Sequence, residues 1–238
     1  MKPALIALQF LTRIPVRLRE PASEDEIGAS MAWYPVVGAL LGVALALLAW
    51  LLADAAPLLR AALVLAAWVA LSGALHLDGL ADSADAWVGG GDSTERTLQI
   101  MKDPRSGPIA VVVLVVVLLL KFAALASLPH EAWPWLVVAP LLGRAALPLL
   151  FLTTRYVRPG GLGDVLARHL PHVACLAAVA ITAVVVLAAG GWKPLLAAIV
   201  VFLAWRRAMI ARIGGCTGDT AGAMTELVEA VAIVAIAL

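Results

Sequence analysis

Of the 238 residues, 63% are apolar, only 14% are charged, and the net charge is +1. A soluble domain carries about a quarter charged residues, so this composition excludes one and marks a polytopic membrane protein. It also excludes a nucleic-acid binder, because no basic stripe exists to neutralise phosphates along a duplex.

The chain opens on "MKPALIALQFLTRIPVRLREP", which has charges inside its apolar part and no small-residue cleavage site. A retained helix lying at the membrane interface is expected there. A membrane span needs about 20 mostly apolar residues. Seven stretches qualify, near 31–52, 58–76, 107–128, 133–152, 173–190, 194–213 and 223–238. The last has 16 residues, with Glu226 and Glu229 in its first turns, and is the weakest of the seven. No period of 20 to 50 residues repeats and no linker divides the chain. The expected fold is therefore all-α: one membrane domain over 1–238, with about seven transmembrane helices. Cys175 and Cys216 have no paired spacing and are expected to be reduced or packed.

Lys and Arg in the short loops set the orientation. A cytoplasmic N-terminus gives that face Lys2, Arg13, Arg17, Arg19, Arg96, Lys102, Arg105, Arg155, Arg158, Arg168, Arg206, Arg207 and Arg212. Only Arg60 and Lys193 fall opposite, so the ratio is thirteen to two. The polar segments 77–106, 153–172 and 214–222 then share the cytoplasmic face, and any chemistry faces the cytoplasm. Lys121 and Arg144 fall inside spans, where a charge is costly. Lys121 can snorkel to the outer edge. Arg144 is expected to pair with carboxylates or with a bound diphosphate.

Acids gather in two places. In "LHLDGLADSADAWVGGGD" (75–92), Asp78, Asp82 and Asp85 are spaced i, i+4, i+7 and share one helix face. Like charges on one stripe repel. A solvated helix end does not require that alignment, whereas a hard divalent cation would cancel the repulsion. Gly79, Ala81, Ser83 and Ala84 are small, as if something must approach closely. In "IGGCTGDTAGAMTELVEA" (213–230), Asp219 and Glu226 are i, i+7, with Glu229 three further on. The two acidic stripes are expected to converge on one metal site. Between them, "LQIMKDPRSGPIA" places Lys102 and Arg105 beside Asp103. These cations are either an ordinary positive flank or donors to phosphate oxygens. Arg155 and Arg158, in "TTRYVRPGGLGD", extend the positive surface. His76 directly precedes the first stripe, suited to a structural hydrogen bond or to a catalytic or substrate contact. His130, His169 and His172 are expected to be interfacial.

"LHLDGLADSADAWVGGGDSTERTLQIMKDPRSG" resembles the signature region of the cobalamin synthase family, the adenosylcobinamide-GDP ribazoletransferases. "IGGCTGDTAGAMTELVE" is similar to that family's C-terminal motif, "FLTRIPV" (10–16) to its N-terminal one, and "YVRPGGLG" (156–163) extends the likeness over nearly the whole chain. Cys216 stands where an aromatic is expected, and Ile109-Ala110 replaces a more usual aromatic-Gly pair; neither removes a charge. The resemblance implies an integral membrane, Mg²⁺-dependent enzyme of cobalamin nucleotide-loop assembly. It would join α-ribazole, or its 5′-phosphate, to adenosylcobinamide-GDP and release GMP. On this reading Asp78, Asp82 and Asp219 hold the metal, and Asp85 or Glu226 accepts the ribose hydroxyl proton, with His76 in the catalytic set. Lys102, Asp103, Arg105, Arg144, Arg155 and Arg158 bind the substrate. The implied partners are those two substrates and membrane lipid, with no nucleic acid; a homo-oligomer is left open. Two alternatives stand beside it. One is a CDP-alcohol-type phosphotransferase of lipid synthesis, whose acidic motif is only partly matched, with Leu75 and Asp82 as the departures. The other is a small-molecule transporter, whose charges would line a midplane cavity.

Overall fold

The computed structural model describes all residues, Met1–Leu238; 79% are helical and no strand forms. In chain order the helices are α1 (Lys2–Leu11), α2 (Glu24–Ser30), α3 (Tyr34–Leu51), α4 (Pro57–Ser72), α5 (Leu75–Gly89), α6 (Thr94–Ile100) and α7 (Pro108–Ser127). They continue as α8 (Val138–Thr153), α9 (Gly161–Arg168), α10 (His172–Ala188), α11 (Trp192–Ile213) and α12 (Gly218–Ala237). Short 3₁₀ segments lead into α3 and α8. Five stretches are long and apolar enough to cross a membrane, and counting two bent helix pairs as spans raises the number to seven. Those pairs are α4 with α5, bent by 89°, and α9 with α10, bent by 95°. Each of the seven expected spans falls on one of these helices.

Two boundaries differ from expectation. The second span was expected to run to residue 76. The helix stops at Ser72 because Gly73 (φ 64°) and Ala74 (φ 56°) are both left-handed, a conformation that interrupts helical hydrogen bonding. His76 therefore stands in the first turn of α5. The last span was expected from residue 223, but α12 begins at Gly218. Thr217 caps it, accepting from the Thr220 N–H while the Thr220 side chain accepts from the Thr217 N–H. The helix is thus 20 residues long, and Glu226 and Glu229 lie in its middle, not in its first turns.

The central helix is α12, packed on α5, α7, α8 and α11. Small residues let α5 and α12 meet closely. A Cβ added to Gly79 would lie 2.6 Å from the Asp219 carbonyl oxygen, and one on Gly222 would lie 3.3 Å from that of His76. Such contacts are the usual means by which membrane helices pack without a hydrophobic drive between them. The outer faces of α7, α10 and α11 expose Val111, Val115, Leu119, Val184, Ile199 and Leu203, as suits helices bathed in hydrocarbon.

One end of the bundle collects the polar connections. The N-termini of α7 and α12 meet there with the C-termini of α8 and α11, and with α5 and α6. Thr94 donates to the Arg212 carbonyl (2.8 Å), and Arg206 donates to Thr153 and Thr154. The backbone after α8 is tied to the turn before α12. Cys216 N–H donates to the Arg155 carbonyl (2.8 Å), and Val157 N–H donates to that of Cys216 (2.9 Å).

Candidate active site

At this end α5 and α12 border a cavity of about 220 Å³. His76, Asp78 and Gly79 line it from α5, Gly218, Asp219 and Gly222 from α12, and Tyr34 and Phe151 are also in the lining. A larger groove of about 520 Å³ lies between α8, α10 and α11, but no acid lines it. The smaller cavity is the one of the two that carboxylates line.

Asp78 is exposed and Asp82 half-buried. Asp82 lies in the field of Asp78, Asp219 and Asp85, opposed by Arg158. Arg158 is ion-paired with Asp219 at 2.7 Å. The backbone tie between 155–157 and 216 brings this arginine to the acids, and Gly215 permits it by leaving room for the Arg155 carbonyl. Tyr156, stacked on Phe151 with ring centroids 5.7 Å apart, steadies the same loop. The two acidic stripes thus meet, at Asp78, Asp82 and Asp219. Carboxylates suit hard cations, and they outnumber the one arginine. No three of them stand close enough together, as placed, to enclose an ion.

Asp85 belongs to the stripe but serves α7. Its Oδ2 accepts from the Gly107 N–H (2.5 Å) and its Oδ1 from the Ala110 N–H (2.9 Å). The first turn of a helix leaves its N–H groups without partners. No side chain of α7's own neighbourhood caps it, so Asp85 does so from another helix. Asp85, expected as a general base, has both oxygens committed here to the first turn of α7.

Glu226, the other residue expected to take the proton, lies away from the cavity lining. It is buried, accepting from Lys121 Nζ at 2.6 Å. Lys121 also donates to Glu229 (2.6 Å) and lies 4.5 Å over the Trp68 ring. Glu229 is ion-paired with Arg144, and Arg144 Nη2 reaches His76 Nδ1 at 3.5 Å. All six side chains are buried. Lys121 therefore does not snorkel. Of its two expected partners, Arg144 is paired here with the carboxylate. Asp85's capping and the parts played by Lys121 and Glu229 escaped the sequence reading. Helix counting points to the second. Lys121 is thirteen residues into α7, Glu226 and Glu229 are eight and eleven into α12, and Arg144 is nine from the end of α8. At about 1.5 Å per residue all four lie roughly 12–20 Å from the same end of the bundle.

Lys102, Arg105 and Arg155 are exposed and outside the cavity lining. Arg105 turns back on Asp103, with Nε to Oδ1 at 2.9 Å and Nη2 to Oδ2 at 2.7 Å. Those guanidinium hydrogen bonds hold the Asp103 carboxyl well below its usual range, at about 2. Of the six expected substrate-binding residues, Arg158 alone is placed at the acids.

The cobalamin-5-phosphate synthase family matches residues 3–237. An adenosylcobinamide-GDP ribazoletransferase of Stutzerimonas stutzeri is 58% identical, over 100% of this chain and 98% of its own. Proteins with the same name from Pseudomonas fluorescens and Pseudomonas aeruginosa are 55% and 54% identical; the comparison covers 100% of this chain with each, and 100% and 98% of theirs. No solved structure matches. Whole-chain similarity of this degree, on a helical membrane bundle with an acid-lined cavity at one end, places the chain in the cobalamin-5-phosphate synthase family.

Proposed function

We propose that the chain joins α-ribazole, or its 5′-phosphate, to adenosylcobinamide-GDP, forming adenosylcobalamin or its 5′-phosphate and releasing GMP. The observation that carries this reading is the cavity between α5 and α12, where Asp78 and Asp219 stand in its lining and Asp82 and Arg158 beside them. Displacement at a diphosphate asks little covalent chemistry of a protein; it asks for positioning and charge stabilisation. A ribose hydroxyl attacks the phosphorus attached to the cobinamide side, the P–O bond to GMP breaks, and the hydroxyl proton leaves. With Asp85 and Glu226 engaged elsewhere, a carboxylate of this cavity takes that proton. Asp78, Asp82 and Asp219 supply hard oxygen donors for Mg²⁺, which when bound would neutralise charge on the bridging and leaving oxygens. Arg158 is free to exchange Asp219 for a phosphate oxygen, a bidentate partner of matching geometry.

The thirteen-to-two distribution of Lys and Arg supports a cavity that faces the cytoplasm, and the bacterial relatives support an inner-membrane location. Reporter fusions at Asp92 and Gly161 are expected to report cytoplasm; a periplasmic signal from either reverses the orientation. The reaction itself is tested with purified protein, adenosylcobinamide-GDP, α-ribazole and Mg²⁺. GMP release that requires both substrates is expected. Turnover of a CDP-linked donor in its place would overturn the reading.

A further inference from the structure

The buried charge network ends at the cavity, and it ends on a histidine. Arg144 has donors only, and its Nη2 faces Nδ1 of His76 at 3.5 Å. An Nδ1–H would aim a proton at another donor, so Nδ1 is the acceptor and the neutral ring carries its hydrogen on Nε2. Arg144 is itself held from behind. Glu229 pairs with it, Lys121 binds Glu229 at 2.6 Å, and the face of Trp68 lies 4.5 Å from Lys121. Gly143 makes the arrangement possible, since a Cβ there would come within 2.7 Å of Glu229 Cγ. His76 also lines the cavity together with Asp78 and Asp219. The steps of the transfer give it no part.

We infer that Lys121, Glu229 and Arg144 hold His76 as an Nε2–H donor to an anionic phosphate oxygen of the substrate. The inference rests on the transferase reading for the identity of that phosphate. A cation donating to Nδ1 polarises the ring and makes Nε2–H a stronger donor. The cavity needs such a donor. Its nearby charges are carboxylates, which repel a diphosphate, and Arg158 alone among them is cationic. Lys121, Glu229 and Arg144 are positioning residues here; His76 is the group that touches substrate.

The test begins without turnover. In protein ¹⁵N-labelled at histidine, the His76 signals, assigned by their loss in His76→Phe, are expected to show protonated Nε2 and bare Nδ1. Pyrophosphate or GDP with Mg²⁺ is expected to shift Nε2 and leave Nδ1 nearly unmoved. Arg144→Lys keeps a charge beside Glu229 but shortens the reach, so a mixture of tautomers is expected in a protein that still folds. In turnover, a Gln amide can place its N–H where Nε2–H stands, whereas Asn and Phe cannot. His76→Asn and His76→Phe are expected to raise the KM for adenosylcobinamide-GDP by about 10- to 100-fold, the usual range for a hydrogen bond to a charged group, and His76→Gln by much less. The KM for α-ribazole is expected to stay near its original value in all three. A protonated Nδ1, or His76→Gln as impaired as His76→Phe while equally well folded, overturns the inference. If the wild-type protein binds GDP with the Nε2 shift yet releases no GMP, the transferase reading fails and the histidine's donor role stands.

Discussion

Helix α12 takes part in two clusters of charge that contrast. Deep in the bundle, Lys121 and Arg144 face Glu226 and Glu229, two cations against two anions, every one of them buried. At the end of the bundle, Asp78, Asp82 and Asp219 face a single arginine across a cavity. Ionisable groups within a membrane mark functional sites by default. The two clusters refine that rule: the decisive property is whether the charges are already neutralised by one another. The deep set is complete, and its breakage leaves an uncompensated buried charge. The cavity set has surplus negative charge, which is a requirement for something that is not protein.

The largest effects are expected at the cavity. Asp78→Asn, Asp82→Asn and Asp219→Asn keep shape but remove the charge a hard cation needs, and each should lower turnover by about a thousandfold or more. Thermal unfolding of the same variants should show stability unchanged or raised, because repulsion along the stripe is relieved. Near-normal turnover in the Asp78 and Asp219 variants would remove the metal from the account.

Next in size is the deep network, where the sign of the contrast reverses. Lys121→Met should destabilise the protein by about 3–5 kcal/mol by leaving buried carboxylates short of a cation. Adding Glu226→Gln to it should recover a good part of that loss. Denaturation in detergent measures both. A Lys121→Met protein as stable as the original, but inactive, would erase the distinction between the two clusters.

Smaller effects sharpen the boundary. Arg158→Gln should raise the KM for adenosylcobinamide-GDP about tenfold, the size of a lost charge-assisted contact. Its melting temperature should barely move, since the pair with Asp219 is partly open to solvent. Smallest of all, Asp85→Ala should cost about 1 kcal/mol, the usual worth of a helix cap. Its turnover should stay within a few fold, whereas a true general base would take most of the activity with it.

The sequence showed the number and placement of the spans plainly, because a run of about 20 apolar residues matches the thickness of a bilayer and exceeds what most soluble cores can bury. It was misleading at α12, whose first turn is polar and borders the cavity, so that a search for apolar length starts five residues late. It held no sign of the break at Ala74, since alanine rarely adopts a left-handed backbone. The stripe Asp78, Asp82, Asp85 was legible as a stripe, but its members were not distinguishable. Asp85 differs from the other two through Gly107 and Ala110, whose N–H groups reach it only after α7 has packed. Lys121 and Arg144 were recognisable as costly. Their counter-ions on α12 emerge only when depths along three helices are compared.

That network has a consequence for how the chain enters the membrane. The cations ride on α7 and α8, and the anions follow with α12, later in the chain. A lysine or arginine at the centre of an inserting helix costs about 2.5–3.5 kcal/mol on insertion scales. The helix that takes the lysine, α7, is also the most apolar of the five long spans, with mean hydropathy 3.0, which lets it enter despite that cost. By contrast α12, at 1.6, is the least apolar and carries both glutamates. It is poorly suited to enter lipid alone and well suited to enter beside two waiting cations. Synthesis in this order brings the two cations to the bilayer ahead of their counter-ions, and entry of α12 is expected to complete the pairing.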